Sequence, residues 1–145
     1  MHKPVATKAG GECLAVPDVC HLPAPPPPAG PGGIPTPYPN KAGCSSCDKT
    51  TKKVLAVNKP ICVEDSEIPR SSGDEAGCSN LPTPKGLTSQ KNMSETSFKS
   101  FSSKVKAEGK AVVFAGATTG QNGKGNQNMP TGKHVTPSQT KVWAS

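Results

Sequence analysis

Lys53-Val54-Leu55-Ala56-Val57-Asn58-Lys59-Pro60-Ile61-Cys62-Val63 returns, 51 positions on, as Lys104-Val105-Lys106-Ala107-Glu108-Gly109-Lys110-Ala111-Val112-Val113-Phe114. The two stretches share Lys53/Lys104, Val54/Val105, Ala56/Ala107 and Lys59/Lys110, and Ile61 matches Val112. Each is rich in β-formers and has turn residues at its middle, Asn58-Lys59 in the first and Glu108-Gly109 in the second. A truncated third copy stands at Lys141-Val142-Trp143-Ala144. The pattern predicts a small hairpin used two or three times, and so a pseudo-symmetric object suited to a symmetric partner.

The rest of the chain agrees with short strands and tight loops. Its 145 residues make one domain, 1–145. Hydrophobic residues are 32% of the chain, against a usual ~45–50%. Trp143, Tyr38, Phe98, Phe101 and Phe114 are the whole aromatic complement. So thin a core needs help from backbone hydrogen bonds, a metal or disulfides, or a partner surface. The 17 prolines and 15 glycines disfavour long helices, and no window carries a sustained helical apolar period. The fold class is therefore all-β, with little or no helix.

The net charge of +7 is spread along the chain, with only Lys52 and Lys53 adjacent. Without interleaved aromatics this is a solvated surface rather than a nucleic-acid footprint. No stretch is apolar for long enough to span a membrane. Met1 to Gly10 is charged and leads into no apolar segment, so it is no secretory signal. Synthesis in the cytoplasm follows, and any export has to be carried by another device.

Pro17 to Pro39 is a Pro-rich tract with Pro25 to Pro28 consecutive. It predicts extended polyproline II outside any sheet ladder, as a stiff linker, a partner ligand or a strap over a small core. Ser66 to Asn80 and Gly116 to Gly132 read as loops.

Six cysteines stand at Cys13, Cys20, Cys44, Cys47, Cys62 and Cys78. Cys44-Ser45-Ser46-Cys47 has the spacing of a zinc half-site or redox pair. Cys13 and Cys20 form an irregular second half-site, so Cys13, Cys20, Cys44 and Cys47 are the candidate ligands of one structural zinc. The plainer alternative is a set of small buried thiols. His2, His21 and His134 lie in separate segments and read as surface or loop residues. A thioredoxin-like role lacks its βαβ setting, the Gly116–Gly125 loop lacks a phosphate-loop ending, and no nucleophile elbow exists. The acids Glu64, Asp65, Glu67, Asp74 and Glu75 cluster, but little apolar material is left to line a substrate pocket. Nothing points to catalytic residues or to a bound organic cofactor.

Several motifs together resemble one family. Pro17-Asp18-Val19-Cys20, the Pro-rich run and Pro37-Tyr38-Pro39-Asn40 look like the N-terminal signature of PAAR-like proteins. Ser71-Ser72-Gly73-Asp74-Glu75-Ala76-Gly77, the Val105–Val113 hairpin, Gly120-Gln121-Asn122 and Thr136 to Val142 are similar to its later segments, in the same order. The resemblance implies a small cone of short hairpins and long Pro/Gly-rich loops. Such a cone caps and sharpens a trimeric spike protein of the VgrG type, one tip per trimer, in type VI secretion or a phage tail-like contractile injection system. It implies a non-catalytic structural role, assembly in the cytoplasm, delivery outside at the tip, effector cargo, transient piercing of a target membrane, and no nucleic-acid partner. No fused effector is expected within 1–145. Related sequences often carry histidine where this chain has Gln121, which leaves two readings: the extra cysteines replace that ligand set, or the metal is absent. Two alternatives differ in class: a small zinc-stabilised binding module that works through Pro23 to Pro39, and a small secreted toxin.

Overall fold

The computed structural model describes residues 1–22, 33–77 and 86–145. The Pro25–Pro28 run and Cys78 lie outside the described residues. The described chain is nearly all β, with two single-turn 3₁₀ segments at Cys44–Ser46 and Glu75–Gly77.

The repeats form hairpins, as their sequence predicts. β4 (Leu55–Ala56) pairs with β5 (Lys59–Pro60), and β8 (Lys106–Ala107) pairs with β9 (Lys110–Ala111). The first turn sits one residue earlier than expected, on Val57-Asn58 with φ of 52° and 58°; the second is Glu108-Gly109 at 51° and 82°. Two residues at positive φ make the turn whose twist matches the flanking strands. The third copy is completed by the other end of the chain. β12 (Trp143–Ala144) pairs with β1 (Lys3–Pro4), Lys3 opposite Ala144 and Pro4 opposite Trp143. Lys59 faces Ala56 and Lys110 faces Ala107 in the same register.

The strands that follow close a ring. Thr7 bridges Ile61, Val63 bridges Val112, and Val5 bridges Phe114. The Cys62 amide donates to the Ala6 carbonyl at 2.9 Å, Val113 to Cys62 at 2.9 Å, and Ala6 to Val113 at 2.8 Å. Lys8 to Pro60, Glu64 to Ala111 and Ala115 to Pro4 repeat the same relation at 3.0, 2.9 and 2.8 Å. This is a pseudo-threefold triangle of strands in a single chain.

Strand alternation gives the triangle two faces. Val5, Ile61, Val63 and Val112 join Ala56, Ala107 and Ala144 in one apolar cluster under the hairpins. Ala6, Cys62 and Val113 point into a second cluster with Cys13, Ala42, Cys44, Cys47, Ile68, Phe98 and Ala117. Phe101 and Phe114 pack on its margin.

Over that second face lies a six-stranded antiparallel sheet. In spatial order it runs β3 (Ile34–Gly43), β2 (Glu12–Leu22), β11 (Met129–Thr136), β10 (Thr118–Gln121), β7 (Thr96–Phe98) and β6 (Glu67–Ile68). Here the described parts of the Pro17–Pro39 tract depart from expectation, because residues 17–22 belong to β2 and residues 34–39 to β3 rather than standing outside the ladder. The reason is spacing. Pro35, Pro37 and Pro39 alternate, so every missing N–H points away from β2 on an edge strand, where no donor is needed. Lys41 has the same parity and does carry an N–H, which donates outward to Ser72 at 2.7 Å. Parts of the two segments read as loops are likewise strands, β6 in the first and β10 with the start of β11 in the second.

Candidate functional site

Two features stand out, one on each side of the triangle. The first is the hairpin face. Val54, Val105 and Val142 are equivalent under the threefold and are exposed to 42%, 37% and 40%. Leu55 and Trp143, both half exposed, occupy equivalent positions beside them. Each hairpin is anchored three residues upstream by a polar side chain. The Thr51 hydroxyl donates to the Val54 carbonyl and accepts the Ile61 amide at 2.8 Å. The Ser102 hydroxyl accepts the Val105 amide at 2.9 Å. Gln139 accepts the Val142 amide through Oε1 and donates through Nε2 to the Val5 carbonyl, both at 2.8 Å. The signal was readable as Thr51-x-Lys-Val, Ser102-x-Lys-Val and Gln139-x-Lys-Val, and the sequence reading missed it.

The second feature is a buried cysteine–histidine centre. The Sγ atoms of Cys13 and Cys44 and a ring nitrogen of His134 lie within 4.8 Å of one another. Cys13 comes from β2, Cys44 from the 3₁₀ turn after β3, and His134 from β11 directly opposite Cys13. Cys62 reaches in from the triangle and packs in the same buried cluster as Cys13, Cys44 and Cys47. All four cysteines are fully buried and His134 is 1% exposed. Hydrogen bonds from Cys13 and Cys62, with a further contribution from His134, hold the Cys44 thiol far below its ordinary pKa against the effect of burial. Cys13 and Cys62 are pushed up in turn, first by the bond to Cys44 and then by burial. A thiolate is the form that binds a metal.

Both ring nitrogens of His134 are buried without a hydrogen-bond partner. Such orphaned groups are costly unless something fills the valence. Gly11 keeps room for the ring: its φ is +87°, and a Cβ there would meet His134 Nε2 at 3.0 Å and the Thr136 carbonyl at 2.6 Å. These donors, soft sulfur and imidazole in a closed pocket, suit zinc coordination. Cys13, Cys44 and His134 are close enough to bind one metal ion.

Of the four cysteines named from the sequence, the structure brings together Cys13, Cys44 and Cys47. Cys20 is seven residues along β2 from Cys13, roughly 20 Å in an extended strand. It packs instead at 4.0 Å from Asp74 Oδ2, and its thiol is pushed up to about 12 by burial and by Asp18 and Asp74. Sequence reading missed Cys62 and His134. His134 was expected at the surface; the strand alternation of residues 129–136 turns it inward with Gly132. Gln121 is buried and bonded to Thr119, outside the cysteine group.

Around Cys20 lies a polar network. Asn122 Nδ2 donates to Oδ2 of both Asp18 and Asp74 at 2.5 Å, and Asn128 donates to Asp18 Oδ1. The Ser94 amide and the Ser71 hydroxyl fix the Asn122 carbonyl. Burial raises the Asp18 pKa, and Asp74 adds to the rise. These groups pin β2 to the Ser71–Asp74 loop and to the segment after β10. Among the described residues no helix is long and apolar enough to cross a membrane.

The chain is similar to known proteins along nearly all its length. It is 31% identical over 136 residues to the DNase toxin Tse7 of Pseudomonas aeruginosa, a match covering 92% of this chain and 31% of that protein. It therefore spans about a third of its curated relative. No solved structure matches. Residues 11–130 match the toxin PAAR-like domain, from β2 to the start of β11 and so across Cys13, Cys44, Cys47, Cys62 and two of the three hairpins, ending before His134. The chain belongs to the toxin PAAR-like domain family.

Proposed function

We propose that this domain is a structural, non-catalytic tip that caps and sharpens the trimeric β-helical spike of a contractile injection system. The observation that carries the reading is the pseudo-threefold triangle with its three equivalent hairpins. One chain on a threefold axis engages all three subunits alike when it presents the same contacts three times. The blunt end of a β-helix is a set of open strand edges, which need cover, and the hairpins supply short strands and exposed aliphatic side chains for it. One tip per trimer follows from that symmetry. The cone is made and loaded in the cytoplasm, leaves the cell on the spike, and pierces a target membrane in passing.

A structural zinc fits the same role. Cys13, Cys44 and His134, with Cys62 or Cys47 as a fourth ligand, would close a tetrahedral site with no position left for substrate. The metal would tie the long strands of the cone to the triangle beneath them.

A second reading, that residues 1–145 are themselves a toxin, draws on the name of the DNase relative. The match to about a third of that protein, on a sequence that reads as a structural cone, supports instead a carrier role for this domain, with effectors as its cargo. Native mass spectrometry of the chain co-expressed with a trimeric spike protein of the VgrG type tests the proposal. One chain and one metal ion per three spike subunits is the expected result. A chain that stays folded and free beside an intact trimer would overturn it, and nuclease activity of purified residues 1–145 would establish the second reading.

A further inference from the structure

We infer that the hairpin face recognises an acidic trimer end, through a threefold ring of lysines around its exposed valines. The inference rests on the tip reading above and adds the chemistry of the partner. Lys53, Lys104 and Lys141 each precede an exposed valine of the triad Val54, Val105 and Val142. Lys3, Lys59 and Lys110 stand opposite the buried alanines of the three hairpins, toward the flank of the molecule, where Lys110 pairs with Asp65. Lys106 adds a further charge within one hairpin.

The balance of charge on this face is one-sided. Among the described residues the ion pairs are Lys49–Glu67, Lys91–Glu95, Lys110–Asp65 and Lys124–Glu67. None of the three ring lysines, Lys53, Lys104 and Lys141, is in an ion pair. The one carboxylate on the hairpins, Glu108, is turned back into the chain, where its Oε1 accepts the amides of Lys52, Lys53 and Val54 at 2.8, 2.5 and 3.1 Å. Lys3 lies over the Phe114 ring, 5.3 Å from its centre, with no carboxylate partner. An apolar centre with a charged rim is the anatomy of a protein interface. Lysines repeated at threefold spacing steer and orient a partner carrying carboxylates at the same spacing. Nucleic acid shares the charge but neither the threefold nor a use for the valine triad.

The test measures binding of the full chain to the spike trimer by biolayer interferometry. Between 0.05 and 0.5 M NaCl the screening length falls from roughly 13 Å to roughly 4 Å, and the dissociation constant should rise about tenfold or more. Lys53→Glu/Lys104→Glu/Lys141→Glu should weaken binding about 100-fold, and Asp/Glu→Lys changes at the trimer end should restore it. Lys41→Glu/Lys99→Glu/Lys133→Glu makes the same change of net charge on and beside the six-stranded sheet, and should stay within about threefold of the wild type. Equal losses in both triple variants would overturn the inference, as would salt-independent binding of the wild-type chain. Loss on Val54→Ser/Val105→Ser/Val142→Ser with none on charge reversal would overturn it while leaving the tip reading intact. Ring-dependent capture of duplex DNA with no binding to the trimer would overturn both.

Discussion

Replacing His134 by leucine separates a metal centre from a merely buried cluster by the sign of the effect. Both ring nitrogens of His134 are buried and unpartnered. If nothing binds them, each costs about 1–3 kcal/mol. Leucine, apolar and comparable in size, would then leave stability unchanged or raise it. If a metal binds, His134 is one of its ligands, and its loss leaves only the sulfurs. A drop in affinity of about a hundred- to a thousandfold is about 3–4 kcal/mol. For a domain of this size that lowers the melting temperature by about 10 °C. The assay is thermal unfolding with and without EDTA, beside elemental analysis of the purified chain. Wild type should carry one zinc and melt lower in EDTA, and His134→Leu should melt low in both buffers. A His134→Leu protein that melts at or above the wild-type temperature, with EDTA changing neither, refutes the argument. Cys20→Ala should keep the metal, because Cys20 packs against Asp74 instead.

Three further outcomes follow from particular side chains. Val57 is β-branched at φ 52°, a conformation that costs such a residue about 1–3 kcal/mol. Val57→Asn should therefore raise the stability of the free chain by about 1 kcal/mol in urea unfolding, while removing an exposed aliphatic from the hairpin face. Asp18 has its pKa raised by burial, so the folded state holds that proton more tightly than the unfolded one. Its contribution makes stability fall as pH rises above the ordinary aspartate value near ~3.9. Urea midpoints from pH 4 to 7 should decline more steeply in wild type than in Asp18→Asn. Glu108 has its pKa lowered by the amides of Lys53, Val54 and Lys52. Those three amide resonances should shift together with a midpoint below that of free glutamate, and in Glu108→Gln the transition should vanish.

The parts legible in the sequence were those carried by local repetition. Lys-Val-x-Ala marked all three hairpins because the same backbone turn asks for the same residues each time. The partner strand of the third copy was harder, since Lys3 and Ala144 are joined only by folding. Yet Lys3-Pro4-Val5 does echo Lys59-Pro60-Ile61, and Val5 and Ile61 fill the same cluster. The cysteine centre divides in the same way. Cys44 and Cys47 announce themselves by spacing, whereas Cys13 reads as half of an irregular pair with Cys20, from which the strand separates it. His134 and Cys62 enter through the β2–β11 register and the triangle, which no local pattern encodes. The prolines of β3 misled for a related reason. Composition alone counts a missing donor as lost, and only the topology tells which side of the strand it faces.

The differences among the three hairpins bear on how such a tip could work. Leu55, Lys106 and Trp143 occupy one equivalent position with unrelated side chains, whereas valine recurs at 54, 105 and 142 and lysine at 53, 104 and 141. On a homotrimeric partner the three possible seatings of one chain are related by the partner's own symmetry and so have equal energy. Nothing then requires the copies to be identical at every position. What must recur is whatever each partner subunit has to find in any seating. The valine and lysine positions meet that requirement within this single chain, and the Leu55, Lys106 and Trp143 position is free to differ. Exchanging Trp143 and Leu55 should therefore leave binding within about threefold of the wild type, by the same counting of contacts, whereas Val54→Asp alone should break one of three equivalent contacts and weaken it by about tenfold or more.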